Sequence, residues 1–349
     1  MIFGWADSVH IHRWAEGLRN LGYVIKVISL DGWPVSGCDT VIFPRKGRWS
    51  YVTHASAASR EAAAFSPDLV HVHYVTGFGL WAMRTRSAPM VVSVWGSDIS
   101  GSKRKLLRRS LIRKTFKQAT HITATSNFLK QEVVGLSQDC SDKTTVIPFG
   151  VDPLEVAPPL PLFDKLRLCS IKLHKPIYGP DVLLKAMALV RKELPNVHLS
   201  LAGRGDMTGQ LKQMVCECNL GDNVDFPGFI DHKEIYSFIE KHHIVVLPSR
   251  HEAFGVAALE GSMCGRPVIA SDVEGIPEVV QDNETGLLVP PDNPEELAGA
   301  IIRLSRSPET MRRMGEAGHT FAKENFTWQQ SLNIMSQLYE RLINEKRQP

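Results

Sequence analysis

The stretch Arg250 to Val280 reads RHEAFGVAALEGSMCGRPVIASDVEGIPEVV, and its punctuation decides the fold. The apolar run His243–Leu247 precedes it and stops at Pro248–Ser249. The loop Arg250–Gly255 then opens a helix expected over Val256–Met263, and the apolar VIAS follows. Strand, tight loop, helix and strand in that order are the unit of a parallel α/β sheet. Glu252 lies in the loop and Glu260 sits two turns into the helix. A helix start with unpaired backbone N–H groups suits a diphosphate. Two carboxylates beside it suit the neutral hydroxyls of the same ligand, which are the parts of a nucleotide-sugar.

Outward from this stretch the alternation continues in both directions. Strands are expected at Ile2–Phe3, Val24–Ser29, Thr40–Phe43, Leu69–His73, Met90–Val94, His121–Ala124 and Val146–Ile147. Helices are expected at Val9–Leu21, Leu106–Lys117 and Asn127–Gly135. The Pro-rich segment VDPLEVAPPLPLFD, Val151 to Asp164, breaks the pattern and reads as a linker. The second half restarts at Leu166–Ile171, alternates to about residue 305, and is helical in pattern over 308–345.

The 349 residues suffice for two domains with their own cores. No run approaches the ~18 apolar residues of a membrane span, and no secretory leader pattern opens the chain. The six cysteines are dispersed without metal-ligand spacing and read as reduced cytosolic thiols. A net charge of +3 conceals an asymmetry: residues 1–157 hold 19 Lys+Arg against 12 Asp+Glu (+7), and residues 158–349 hold 21 against 25 (−4). The basic first half points to an anionic partner there.

The stretch Arg250–Val280 resembles the donor-binding motif of the family-4 retaining glycosyltransferases, in which two glutamates are separated by seven residues. The resemblance spans almost the whole chain. VIPFGVD (Val146 to Asp152) is similar to that family's interdomain passage. VDFPGFIDHKEIYSFIEKHHIVVLPSRHEAFG (Val224 to Gly255) resembles its run into the donor site, and GLLVPPDNPEELAGAI (Gly286 to Ile301) follows in the family's order. The implied fold is GT-B: two Rossmann-like parallel-sheet domains facing a cleft. The first would cover 1–157, the second 158–327, with the final helix, about 328–349, returning to the first.

The resemblance also implies roles. Glu260 grips the ribose hydroxyls, Glu252 faces the transferred sugar, and the amides around Ala253, Phe254 and Gly255 receive the diphosphate. In SIKLHKPIYGPDVLL (Ser170 to Leu184), Lys172 stands where the family has Arg. The family's Lys-Gly pair is replaced by Tyr178-Gly179, which leaves Lys175 as a second candidate cation. Gly203, in LSLAGRGD, resembles the family's loop near the nucleotide, and Phe229 and Ile230 fall where it holds the base. Ordinary surface lysines and a strand-to-helix turn are the competing readings.

In the first half, Asp7 and Ser8 occupy the first strand-to-helix loop, either facing a substrate or capping the helix that begins at Val9. His73 ends a strand at the edge where open α/β sheets bind ligands, and its position resembles a cleft histidine of the family, a plain core histidine being the alternative. His71 is expected to point away from it and to be structural. Ser97 and Asp98, in VSVWGSD, are acceptor-side candidates or loop caps. The run Ser102 to Lys117 carries eight Lys/Arg between residues 103 and 117. With Ile112 and Phe116 among them, it suits a peripheral anionic membrane contact, or else the two apolar residues are buried with the bases at the rim. No stacking aromatics or base-reading motif accompany the charge, so nucleic acid is not expected.

The expected activity is therefore transfer of a sugar from a nucleoside-diphosphate sugar to a hydroxyl acceptor with retention. The acceptor is expected to be a glycan on a lipid carrier, in cell-surface polysaccharide or glycolipid assembly. The expected location is cytoplasmic, extending to the inner face of the cytoplasmic membrane. No Asp-x-Asp pattern exists, so no metal and no cofactor beyond the nucleotide-sugar co-substrate are expected. A sugar-nucleotide epimerase, a phosphorylase and a noncatalytic binder are the alternatives. With no Gly-x-Gly-x-x-Gly at a first helix, a dinucleotide dehydrogenase is not expected.

Overall fold

Apolar strands too short to stand alone must pair, and in this chain all of them pair in parallel. The computed structural model describes residues 1–349 except 48, 86–87, 100–105 and 348–349. The first sheet comprises β1 (Ile2–Phe3), β2 (Lys26–Ser29), β3 (Asp39–Ile42), β4 (Val70–His73), β5 (Met90–Val94), β6 (His121–Ala124) and β7 (Thr144–Val146). Its order is β3-β2-β1-β4-β5-β6-β7. The second comprises β8 (Arg167–Ile171), β9 (His198–Ala202), β10 (Val224–Asp225), β11 (Ile244–Leu247), β12 (Val268–Ser271) and β13 (Gly286–Val289), in the order β10-β9-β8-β11-β12-β13. β2, β4, β5, β6, β11 and β12 are buried at every position, as expected of strands covered by helices on both faces.

Each sheet reverses its winding once, between β1 and β4 in the first and between β8 and β11 in the second. Such a reversal splays the two following loops and leaves a crevice at the carboxyl ends of the strands. The residues after β8 and β11 are therefore the ones the topology presents to a ligand.

Two compact units result, Met1–Pro148 with Gln329–Pro349, and Phe149–Trp328. The boundary falls ahead of the Pro-rich segment because residues 149–151 already belong to the second body. Phe149 meets Phe254 ring to ring at 6.2 Å, and Val151 bridges to Thr327. The segment is fixed there by the buried Arg266, whose guanidinium donates to the carbonyls of Pro158, Pro159, Cys264 and Glu240 at 2.7–2.9 Å.

The helical pattern over 308–345 divides at Phe326–Thr327 into Pro308–Asn325 and Trp328–Arg347. The last helix packs on the first unit through Tyr339, whose hydroxyl hydrogen-bonds the buried His71 ring, and through Ser336, bonded by the Tyr23 hydroxyl at 2.9 Å.

Candidate active site

Lys172 leaves β8 and Glu252 leaves the loop after β11, so the winding reversal brings residues 80 positions apart together. The Lys172 ammonium donates directly to the Glu252 carboxylate, and their side chains are 16% and 14% exposed. Burial alone pulls the Lys172 pKa down. The Glu252 charge and hydrogen bond, with Tyr178 and Glu260 further off, override it and hold the pKa above its ordinary value. The ammonium is thus a fixed positive charge, with donors left for an anionic ligand.

Two devices hold this pair in place. Gly203, at φ +128°, lets the loop after β9 press against the backbone of residue 172: a Cβ there would lie 2.0 Å from the Lys172 carbonyl oxygen. Arg250 ties the loop after β8 to the loop after β11. It donates to both Asp181 oxygens at 2.9 and 2.8 Å, to Asp292 at 2.6 Å and to the Pro176 carbonyl at 2.5 Å. The charge and hydrogen bonds of Arg250 hold the Asp181 carboxyl below its usual pKa, against the burial that raises it.

The helix Val256–Met263 starts at Gly255, whose φ of +106° only glycine adopts without strain, and no side chain caps its first turn. Ala253 is half-buried in the approach, and the Gly275 amide donates to the Glu252 carbonyl at 3.1 Å. Phe254 is core rather than site: it is 3% exposed and packs on Phe149 and Phe326. Only its backbone is available to a ligand. Glu260 is 8% exposed, with His232 Nδ1 3.5 Å from its carboxylate. The other ring nitrogen of His232 stands 3.6 Å from Asp152. Phe229 and Ile230 line a hollow of about 130 Å³ with Ile171, Leu173 and Gly203, and the Arg204 guanidinium covers the Phe229 ring at 5.3 Å. Lys175 is exposed at the start of the short turn Pro176–Tyr178.

Three residues that sequence reasoning passed over belong to this assembly. Tyr178 lies beneath the Lys172 ammonium, 5.1 Å from ring centroid to Nζ, where the sequence shows only a departure from the expected lysine. His232 contacts Glu260 from the GFIDHKEI segment. Arg250 opens the decisive stretch itself. No period or motif marks any of them, because each acts across the sheet rather than along the chain.

In the first domain His73 ends β4 and is fully buried, and among the described residues neither ring nitrogen has a hydrogen-bond partner. Burial, helped by His10, lowers its pKa to about 3, so the ring is neutral at pH 7. The expectation that His71 points away from it is corrected. Residues i and i+2 of a strand share a face, and the two rings lie tilted at 36° with centroids 3.8 Å apart. His71 is structural for another reason: Ser93, at 2.6 Å, and Tyr339 take its two nitrogens.

Asp98 is a loop clamp. Its oxygens accept the amides of Trp95, Gly96 and Val75 at 3.0–3.2 Å, while burial still raises its pKa. Ser97 is exposed, and its carbonyl, like that of Asp98, accepts from Arg108. Ser8 occupies the N-cap position but its side chain caps nothing, and Asp7 is exposed. Ile112 and Phe116 are fully buried in the core with bases at the rim, while Leu106 and Leu107 at the start of the helix Leu106–Gln118 are 82% and 91% exposed. Lys103, Arg104 and Lys105 lie outside the described residues. Among the described residues no helix is long and apolar enough to cross a membrane, and no group of three His, Cys, Asp or Glu could hold a metal ion.

Two Rossmann-like parallel-sheet domains define the GT-B fold. The solved structures the chain resembles agree. Sucrose-phosphate synthase from Thermosynechococcus elongatus matches with a TM-score of 0.84 at 23% identity, over 99% of this chain and 98% of the other. Anabaena HepE in complex with UDP-glucose also reaches 0.84, at 16% identity over 98% and 99%. The model for glycosyl transferases group 1 matches residues 163–321, and that for glycosyl transferase 4-like proteins matches residues 1–126. The chain belongs to the group 1 glycosyltransferases of family 4. A D-inositol 3-phosphate glycosyltransferase of Jonesia denitrificans is 27% identical over 350 residues, covering 91% of this chain and 81% of its own.

Proposed function

We propose that this glycosyltransferase moves a sugar from a nucleoside-diphosphate sugar to a hydroxyl acceptor, with retention at the anomeric carbon and without a metal ion. The observation that carries the reading is the Lys172–Glu252 pair at the winding reversal of the second sheet, with Glu260 about one turn into the helix that follows. The complexes of Anabaena HepE with UDP and with UDP-glucose support the donor class.

As the bond from the anomeric carbon to the diphosphate oxygen breaks, its electron pair leaves with the diphosphate. Lys172 and the uncapped turn at Gly255 oppose that growing charge. The acceptor oxygen bonds to the anomeric carbon on the face the leaving group vacates, and its proton passes to the departing phosphate. Glu252 faces the sugar, Glu260 holds the ribose, and the Phe229–Ile230 hollow takes the base. His73 meets the sugar as a neutral hydrogen-bonding group. Lys175, Asp7 and Ser8 are secondary contacts. The +7 first half suits an acceptor built on an anionic lipid carrier, as in cell-surface polysaccharide or glycolipid assembly.

The test is a binding and turnover screen with UDP-, GDP- and ADP-sugars in the presence of EDTA, with the product's anomeric configuration read by NMR. Glu260→Ala should weaken donor binding at least tenfold. Lys172→Ala should lower kcat by roughly 10²–10³, the usual loss when a developing oxyanion loses its stabilising donor. Wild-type values in either folded variant, or an inverted product, would refute the corresponding part.

A further inference from the structure

Four of the seven tryptophans stand in the loops that leave the carboxyl ends of strands in the first sheet: Trp5 after β1, Trp33 after β2, Trp49 after β3 and Trp95 after β5. Because every strand pairing there is parallel, those loops share one edge. Trp33 is 60% exposed and Trp49 is 72% exposed, the reverse of what burial of so large an apolar ring favours.

The loops are fastened to one another. Ala6 bridges to Gly32, where a Cβ would lie 2.2 Å from the Ala6 backbone, so the Trp5 and Trp33 loops are in contact. His12 spans both, bonding the Ala6 carbonyl at 2.8 Å with its ring 5.9 Å from that of Trp33. Trp5 meets Tyr51 edge-on at 5.9 Å and carries the Arg45 guanidinium 4.8 Å above its ring. Trp49 walls a hollow of about 310 Å³ with Pro44, Lys46, Thr53 and His54, room for a hexose ring. Polar groups lie among these rings: Asp7 is exposed, the Ser8 side chain caps nothing, and the unpartnered His73 ring is 5.1 Å from that of Trp95.

We propose that this edge is a carbohydrate-binding platform on which Trp33 and Trp49 stack the sugar rings of the acceptor. The inference rests on the sugar-transfer reading above and adds the acceptor's binding site. A pyranose has one face of C–H groups, which the negative face of an indole attracts, and a rim of hydroxyls that need polar partners. Aromatic planes interleaved with Asp7, Ser8 and Lys46 match that chemistry. A lipid chain would need contiguous aliphatic surface. Among the described residues of the three loops, Leu30 and Val35 are buried and the exposed apolar rings are aromatic.

The experiment titrates the full chain with maltotriose, cellotriose, chitotriose, mannotriose and farnesyl phosphate, following tryptophan fluorescence. The same saccharides are then supplied as acceptors with the preferred nucleotide-sugar. Binding of at least one saccharide is expected, with an affinity and acceptor KM weakened roughly tenfold in Trp33→Ala and in Trp49→Ala and largely restored in Trp49→Phe. Donor affinity, carried by the second domain, is measured in the same variants to show that they are folded. No response to any saccharide, a response to farnesyl phosphate alone, or unchanged saccharide affinity in both alanine variants overturns the platform. Saccharide binding without any transfer or donor binding would leave the platform standing and sink the transfer reading instead.

Discussion

Acid should unfold the first domain through histidines that cannot be protonated where they sit, and His73 offers the clearest measurement. Its folded pKa is about 3, whereas the unfolded imidazole titrates at its ordinary 6.5. The folded value is the lower one, so the unfolded chain binds the extra proton. The stabilisation is full above pH 6.5 and is lost as the pH falls from 6.5 towards 3. At pH 5 the solution lies 1.5 units below the unfolded pKa. At about 1.4 kcal/mol per unit this residue then costs the fold about 2 kcal/mol relative to pH 7.5. His121, lowered to about 4 chiefly by burial, acts in the same direction.

The assay is urea unfolding of wild type and His73→Asn at pH 7.5 and pH 5.0, monitored by fluorescence. Asparagine keeps a polar side chain but does not titrate. The variant is expected to be less stable at pH 7.5, and its deficit should shrink by about 2 kcal/mol at pH 5.0. An equal deficit at the two pH values would show that His73 is not held neutral, and with it would fall the argument that it meets substrate as an uncharged group.

Three further outcomes follow from the same geometry. Gly203→Ala should cost about 1–3 kcal/mol and weaken donor binding, since a Cβ must displace the Lys172 carbonyl; Gly209→Ala, whose Cβ meets nothing within 4 Å, should be neutral or stabilising, and thermal melts of the two compare them directly. Arg250→Ala should cost about 1–3 kcal/mol and raise the donor Kd by unfastening the loop that bears Lys172, which calorimetry would detect. Phe116→Ala should destabilise the first domain by about 3–5 kcal/mol in a denaturation curve, as for a core aromatic; a loss below 1 kcal/mol would return Phe116 to the surface.

The chain by itself determined a great deal. Period-2 and period-3.6 apolar runs separated by Gly and Pro suffice to name alternating strands and helices, because burial on two faces imposes them locally. The spacing of Glu252 and Glu260 around a helix start is likewise a local fact, and it singled out the loop proposed to take the donor. What only the tertiary structure decided are relations between distant segments. Phe254 became core because Phe149 and Phe326 close over it, and Asp98 became a clamp because three amides converge on it. Ile112 and Phe116 went inward because the first domain had apolar surface to bury them against. The pairing of Lys172 with Glu252, the guanidinium fork of Arg250 and the alignment of tryptophans along one edge all depend on strand order. Strand order is fixed by the summed packing of the whole sheet, and no short window of sequence contains it.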